Sequence, residues 1–221
     1  MHRSLLAAAL AAATLSVVGC TLRATPTAPA TPAIESASRG TVPGTFLLEV
    51  ETAALNQEVR LVGGPRPTGG WACLVNRYPI DAAPAFINVV RDTLGQVVEH
   101  VELGTGDGRS GVAGVITIRP TRFDPSASIV PGLLGPTAQG IAAIEAEVTV
   151  RGPDGRLETS IAGYGTGAQG THGLIGCAIR GEAGAQATER AIADFAQRLA
   201  TRLADAPELR ATGRPAPAAR R

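Results

Sequence analysis

Glu145 and Glu147 stand two residues apart in a segment that alternates apolar and polar side chains. On an extended strand both carboxylates point to one face, about 7 Å apart. Two carboxylates near that separation are the arrangement of a glycosidase acid and base, but alternating acids are also what the water-facing side of an antiparallel sheet carries, and that is the expectation. His172, beside Thr171, has the chemistry of a general base, and Ser110, Ser126, Ser128 and Ser160 that of nucleophiles. None of the serines sits in a G-x-S-x-G elbow, and a single His among glycines is expected as a solvated turn residue. Gly165-Thr166-Gly167-Ala168-Gln169-Gly170 matches G-x-G-x-x-G in form. A dinucleotide fingerprint needs a helix opening at those glycines and an acid ending the next strand about 20 residues on. Glu189 lies near that distance but inside the predicted final helix, so the run is expected to be a flexible segment leading to Cys177. His2, His100 and His172 are isolated and no Cys-x-x-Cys occurs, so neither a metal nor a cofactor is expected. No catalytic residue is assigned.

The residue with the most specific surroundings is Cys20, which closes Leu15-Ser16-Val17-Val18-Gly19-Cys20 after an apolar run from Leu5 to Val18. That run has the length of a signal-peptide core and is too short for a comfortable membrane span. The small and aliphatic residues before the cysteine resemble the lipobox of bacterial lipoproteins. The resemblance implies cleavage after Gly19 and a diacylglycerol on the Cys20 thiol. With Cys20 acylated, Cys73 and Cys177 remain as an even pair in an oxidising compartment, and a disulfide between them is expected, with two separate buried thiols as the rival. It would close a loop of about 100 residues, for which chain entropy gives on the order of 4 to 5 kcal/mol.

Composition narrows the partners. Every basic residue is Arg, and without Arg3 of the signal the chain carries 19 basic and 19 acidic side chains. A neutral chain is not expected to bind nucleic acid, and aromatic residues, at 3%, are too few for a base-stacking surface.

The elements that must position these residues follow from period and punctuation. Residues 1–19 read as signal, and 20–40 as lipid anchor plus a disordered tether rich in Ala, Pro, Thr and Ser, able to span roughly 60 Å if extended. Residues 41–206 read as one periplasmic domain, large enough for a real core, and 207–221 as a disordered Arg-rich tail. Within the domain, 45–52 and 58–62 read as strands. A helix follows, capped by Asp81, with Phe86, Val89, Val90, Leu94 and Val97 on one face. Residues 112–118 alternate with both faces apolar, as a central strand does. Ala142, Ile144, Ala146, Val148 and Val150 oppose Glu145, Glu147 and Thr149, the pattern of a half-buried strand. Gly152-Pro153-Asp154-Gly155 turns it into a partner through Leu157, Thr159 and Ile161. Ile192, Phe195, Ala196, Leu199 and Leu203 mark a final helix. This order predicts an α+β two-layer sandwich, a mostly antiparallel sheet covered by two amphipathic helices.

Ile129-Val130-Pro131-Gly132-Leu133-Leu134-Gly135-Pro136 is expected to be an apolar loop between strands. It either folds back on the core or meets something else, and Ile129, Val130, Leu133 and Leu134 are the candidate partner-binding residues.

The strand 116–123, this loop, the hairpin over 152–155, the motif Gly163-Tyr164-Gly165-Thr166-Gly167 and the closing helix resemble small uncharacterised proteobacterial lipoproteins. In layout they are similar to the lipopolysaccharide-assembly lipoprotein and to auxiliary lipoproteins of ABC-type envelope transporters. The resemblance implies a lipid-anchored protein on the periplasmic face of the outer membrane of a Gram-negative cell. It would be an accessory or assembly factor that binds an envelope protein and catalyses nothing. The alternative is a periplasmic lipoprotein that holds a small apolar or lipid ligand between helices and sheet.

Overall fold

The computed structural model describes residues 21–34, 41–62, 77–104, 111–130, 137–152, 156–170 and 178–206. Among them the elements run β1 (Val42–Val50), a 3-10 turn (Ala53–Leu55), β2 (Asn56–Glu58), β3 (Arg60–Leu61), β4 (Pro79–Asp81), α1 (Ala83–Leu94), β5 (Val98–Leu103), β6 (Gly114–Val130), β7 (Thr137–Arg151), β8 (Arg156–Gly170) and α2 (Ala178–Ala204). The chain is α+β, with a mixed sheet ordered β5-β1-β6-β7-β8, β3 added beside β6, and a small β2-β4 pair.

The long antiparallel β6-β7 and β7-β8 ladders make up most of the sheet. They follow from strict alternation: Ala142, Ile144, Ala146, Val148 and Val150 are all buried, while Ala143, Glu145, Glu147 and Thr149 between them are partly or fully exposed. β6 sits centrally, paired parallel to β1 through Phe46–Gly114 to Val50–Ile118 and antiparallel to β7 on its other side. Ile116 and Ile118 on one of its faces are fully buried, whereas Val115 and Thr117 on the other are only partly so, with the Thr117 hydroxyl on Glu49.

Helix α1 starts at Ala83 with Ala82, not Asp81, at its N-cap and no side-chain cap. Asp81, one residue earlier at the end of β4, only accepts the Ala83 N–H on Oδ1 at 3.3 Å, so the expected Asp81 cap is corrected. The helix stops at Leu94, short of Val97, and Gly95 closes it with its N–H on the Arg91 carbonyl at 3.0 Å. Phe86 of α1 meets Phe195 of α2 with ring centroids 5.1 Å apart, a tilted aromatic contact in the main core.

One further sequence expectation is corrected, and one element is longer than its sequence signal. The final helix begins at Ala178, well before the apolar stripe that announces it. Gly165–Gly170 is the end of β8, not a flexible segment. One cause accounts for both. Ala183, Ala187 and Ala191 form a row of small residues on α2 that lies on Gly167, Gly165 and Gly163 of β8; a Cβ on those glycines would come within 2.5, 2.0 and 2.3 Å of the three alanine carbonyl oxygens. Backbone touches backbone there, so helix and strand both lack the large side chains by which they would be recognised.

Residues 21–34, whose composition gives them nothing to pack alone, lie along the domain. Leu22 N–H donates to Arg77 O at 2.9 Å and Ala24 N–H to Pro79 O at 3.3 Å. The Thr27 N–H and hydroxyl both donate to Glu189 Oε1 at 2.7 Å. Gln96 accepts from Ile34 N–H at 3.2 Å and donates to Pro32 O at 2.9 Å, and the Ile34 side chain is buried in the core.

Candidate functional site

The face of β6-β7-β8 turned away from α2 is where the exposed chemistry collects. Cross-strand pairing puts Asp124, Ser126 and Ser128 of β6 beside Ala143, Ile141 and Gln139 of β7, and these beside Tyr164, Thr166 and Ala168 of β8. Ile141 is 60% exposed and Tyr164 57%. Ala143 and Ala162, on the same face, are partly exposed. Ser126 is buried, its hydroxyl donating to Ile141 O at 3.3 Å, so the exposed apolar area consists of Ile141, Tyr164 and the alanines beside them, set among polar residues.

One side of it is bounded by charge. Arg119 Nε lies 2.9 Å from Glu51 Oε1. Arg122 reaches Glu145 Oε1 at 3.2 Å and Asp124 Oδ2 at 3.1 Å, and Arg60 also reaches Asp124 at 2.9 Å. The hydrogen bond and charge of Glu51 hold the Arg119 guanidinium above the ordinary arginine value, and Asp124, then Glu145, do the same to Arg122. Glu145 and Glu147 therefore share the uncovered face, opposite Arg122 and Arg119 respectively, as acids on a water-facing sheet do.

The edge strand β8 is closed to an incoming strand at two points: Asp194 Oδ2 accepts the Tyr164 N–H at 2.9 Å, and Arg190 Nη1 donates to Thr166 O. Both side chains come from α2. The free surface is the face and not the edge.

Of the residues expected to bind a partner, Leu133 and Leu134 lie outside the described residues, as do Cys20, Cys73, Cys177 and His172. Ile129 and Val130 are not loop but the last residues of β6. The strand continues to the end of the apolar run because β7 offers it partners, Ala138 for Ile129 and Thr137 for Val130. Ile129 is half-buried, and Val130 is 38% exposed. Ile141 and Tyr164 were not anticipated. Parity was the available signal, since each is a large apolar or aromatic residue on the alternation otherwise held by Glu145, Glu147 and Ser160.

Elsewhere, a groove of about 530 Å³ lies between residues 23–25 and the β2-β4 pair, lined by Arg23, Asn56, Gln57, Glu58 and Asp81 among others. Among the described residues, no group of three His, Cys, Asp or Glu could hold a metal ion, and no helix is long and apolar enough to cross a membrane.

No protein-family model matches the chain, and no curated protein matches it. Solved structures similar to it include a Xanthomonas campestris protein of family DUF330, with a TM-score of 0.47 at 14% identity over 81% of this chain and 93% of that one. Another is an uncharacterized protein with a TM-score of 0.31 at 10% identity, over 76% of this chain and 95% of that one.

Proposed function

We propose that this chain is a lipid-anchored accessory or assembly lipoprotein of the cell envelope. It is held through acylated Cys20 on the periplasmic face of the outer membrane and acts by binding another envelope protein, not by catalysis. The observation that carries the binding role is the uncovered β6-β7-β8 face with Ile141 and Tyr164 exposed at its centre. Large apolar and aromatic groups on a fixed frame with a polar rim are the make-up of a protein interface. We read the helices as one layer and the sheet as the other, so that α2 covers one face and leaves the opposite one for the partner. A ligand held between helices and sheet is less well supported, because α2 and β8 meet backbone to backbone along their glycine and alanine rows. The groove at residues 23–25 is lined about equally by polar and apolar surface and includes the charged Arg23, Glu58 and Asp81.

The test is in-cell crosslinking of the full-length protein, followed by detergent extraction and quantitative mass spectrometry, for the natural sequence and for Ile141→Ser/Tyr164→Ser. One dominant envelope protein, lost in the double variant while its melting temperature is kept, is the expected outcome. The same protein captured equally by both forms would sink the assignment of the interface. Capture of no protein, with a reproducible co-purifying lipid, would turn the reading to the ligand carrier.

A further inference from the structure

We propose that the end of the domain carrying Thr21, Arg77, Val62 and Val130 lies flush on the lipid surface, with no free tether between them; the inference rests on acylation of Cys20. Composition alone would let residues 21–39 hold the domain roughly 60 Å away. The structure uses those residues otherwise. Thr21 already bridges to Arg77, and Leu22 donates to the Arg77 carbonyl at 2.9 Å. One peptide link, about 3.8 Å between Cα atoms, then separates the acylated residue from the folded domain.

Topology decides which end this is. β4 runs antiparallel to β2, and Val59 N–H donates to Tyr78 O at 2.9 Å, so stepping back from Asp81 to Arg77 follows the direction of 56 to 60. From there β3 runs parallel to β6, and Val62 N–H donates to Ala127 O at 2.9 Å. By this register Arg77 lies level with Arg60 and Ser126, four residues before Val130 along β6, and Val62 two residues before it, so all three lie in the half of the sheet that ends at Val130, and the first residue after the anchor is bound there. Val62 is 51% exposed and Val130 38%. Arg77 is also exposed and pairs loosely with Glu58 at 3.6 Å. Exposed aliphatic residues beside a cation and an acylated cysteine suit the boundary between headgroups and hydrocarbon. The opposite end, the Arg151–Arg156 turn of β7 and β8, lies fourteen ladder positions away, roughly 45 Å.

A small fluorescent amino acid placed at Val130, at Val62 or at Arg156 of the full, processed chain reads this out in phosphatidylethanolamine/phosphatidylglycerol vesicles that contain headgroup spin-labelled lipid. Quenching several-fold stronger at Val130 and Val62 than at Arg156 is expected. Equal quenching at all three positions in protein that is acylated and vesicle-bound would overturn the proposal alone. An N-terminal peptide without acyl mass would remove the anchor, and this proposal with it.

Discussion

Gly165 of β8 faces Ala187 of α2 so closely that a Cβ on the glycine would lie 2.0 Å from the Ala187 carbonyl oxygen. Real Cβ atoms do not come so near, and the obstacle is helix backbone, which cannot swing aside. Gly165→Ala should therefore cost about 3 kcal/mol through overpacking. Gly95→Ala is the control: its φ is −60° and its Cβ would meet backbone at an ordinary 3.5 Å, so it should change stability by less than about 1 kcal/mol. Urea unfolding of the two variants checks both, and equal midpoints would contradict the close approach.

Glu189 is the clasp of the N-terminal segment, accepting both Thr27 donors. Glu189→Ala should raise hydrogen exchange across 21–34 while costing the whole domain only about 1 kcal/mol. Ile34→Ala, which empties a core position, should cost about 2 kcal/mol or more. Unchanged exchange in Glu189→Ala would show that the clasp does not hold the segment.

A Cys73–Cys177 disulfide is proposed; both cysteines lie outside the described residues, and what the described residues give is a neighbouring contact that leaves the pairing within reach of the chain. A Cβ on Gly181 would lie 3.1 Å from the Tyr78 ring, so points five residues after the first cysteine and four after the second are side by side. Peptide mapping without reductant should find the two cysteines in one linked pair, and reduction should lower the melting temperature. Free alkylation of both thiols in protein taken from an oxidising compartment would refute it.

The ion pairs of the uncovered face should matter little to stability, because exposed pairs are screened by water and salt. Glu51→Gln removes the main partner of Arg119 and should leave the midpoint nearly unchanged. The sign of any pH effect from the arginine is set: its folded value is raised, so the contribution is fully present below the unfolded value and lost only as pH rises through the folded one. Both lie above the neutral range, so a titration across that range should show no step from Arg119. A step there that Glu51→Gln abolishes would be the contrary result.

Local pattern was legible wherever large side chains mark a period. The spacing of Phe86, Val89, Val90 and Leu94 placed α1, and the parity of Ala142 to Val150 placed the buried side of β7. The first half of α2 and the second half of β8 were not legible. Their partners are each other, and Ala183, Ala187 and Ala191 with Gly163, Gly165 and Gly167 carry no periodic bulk to read. Composition likewise described what residues 21–34 could do alone, not which surface they would find. At the candidate site, the acids were placed on the water-facing side by alternation, whereas Ile141 and Tyr164 gain meaning only once three strands put them together.

The position of β1 sets an order of events. It is hydrogen-bonded between β5 and β6, both made long after it, whereas β6, β7 and β8 are joined to their neighbours by short connections. Local hairpins close quickly and distant parallel pairings slowly. A chain that emerges N-terminus first must therefore keep Val42–Val50 unpaired until Val98–Leu103 arrives and bonded on one side only until Gly114–Ile118 follows, and pulsed hydrogen exchange during refolding should protect β7 before β1. For that interval its apolar Phe46-Leu47-Leu48 run is the segment most open to misassociation, which makes delayed docking of the first strand the step at which this protein most needs an escort.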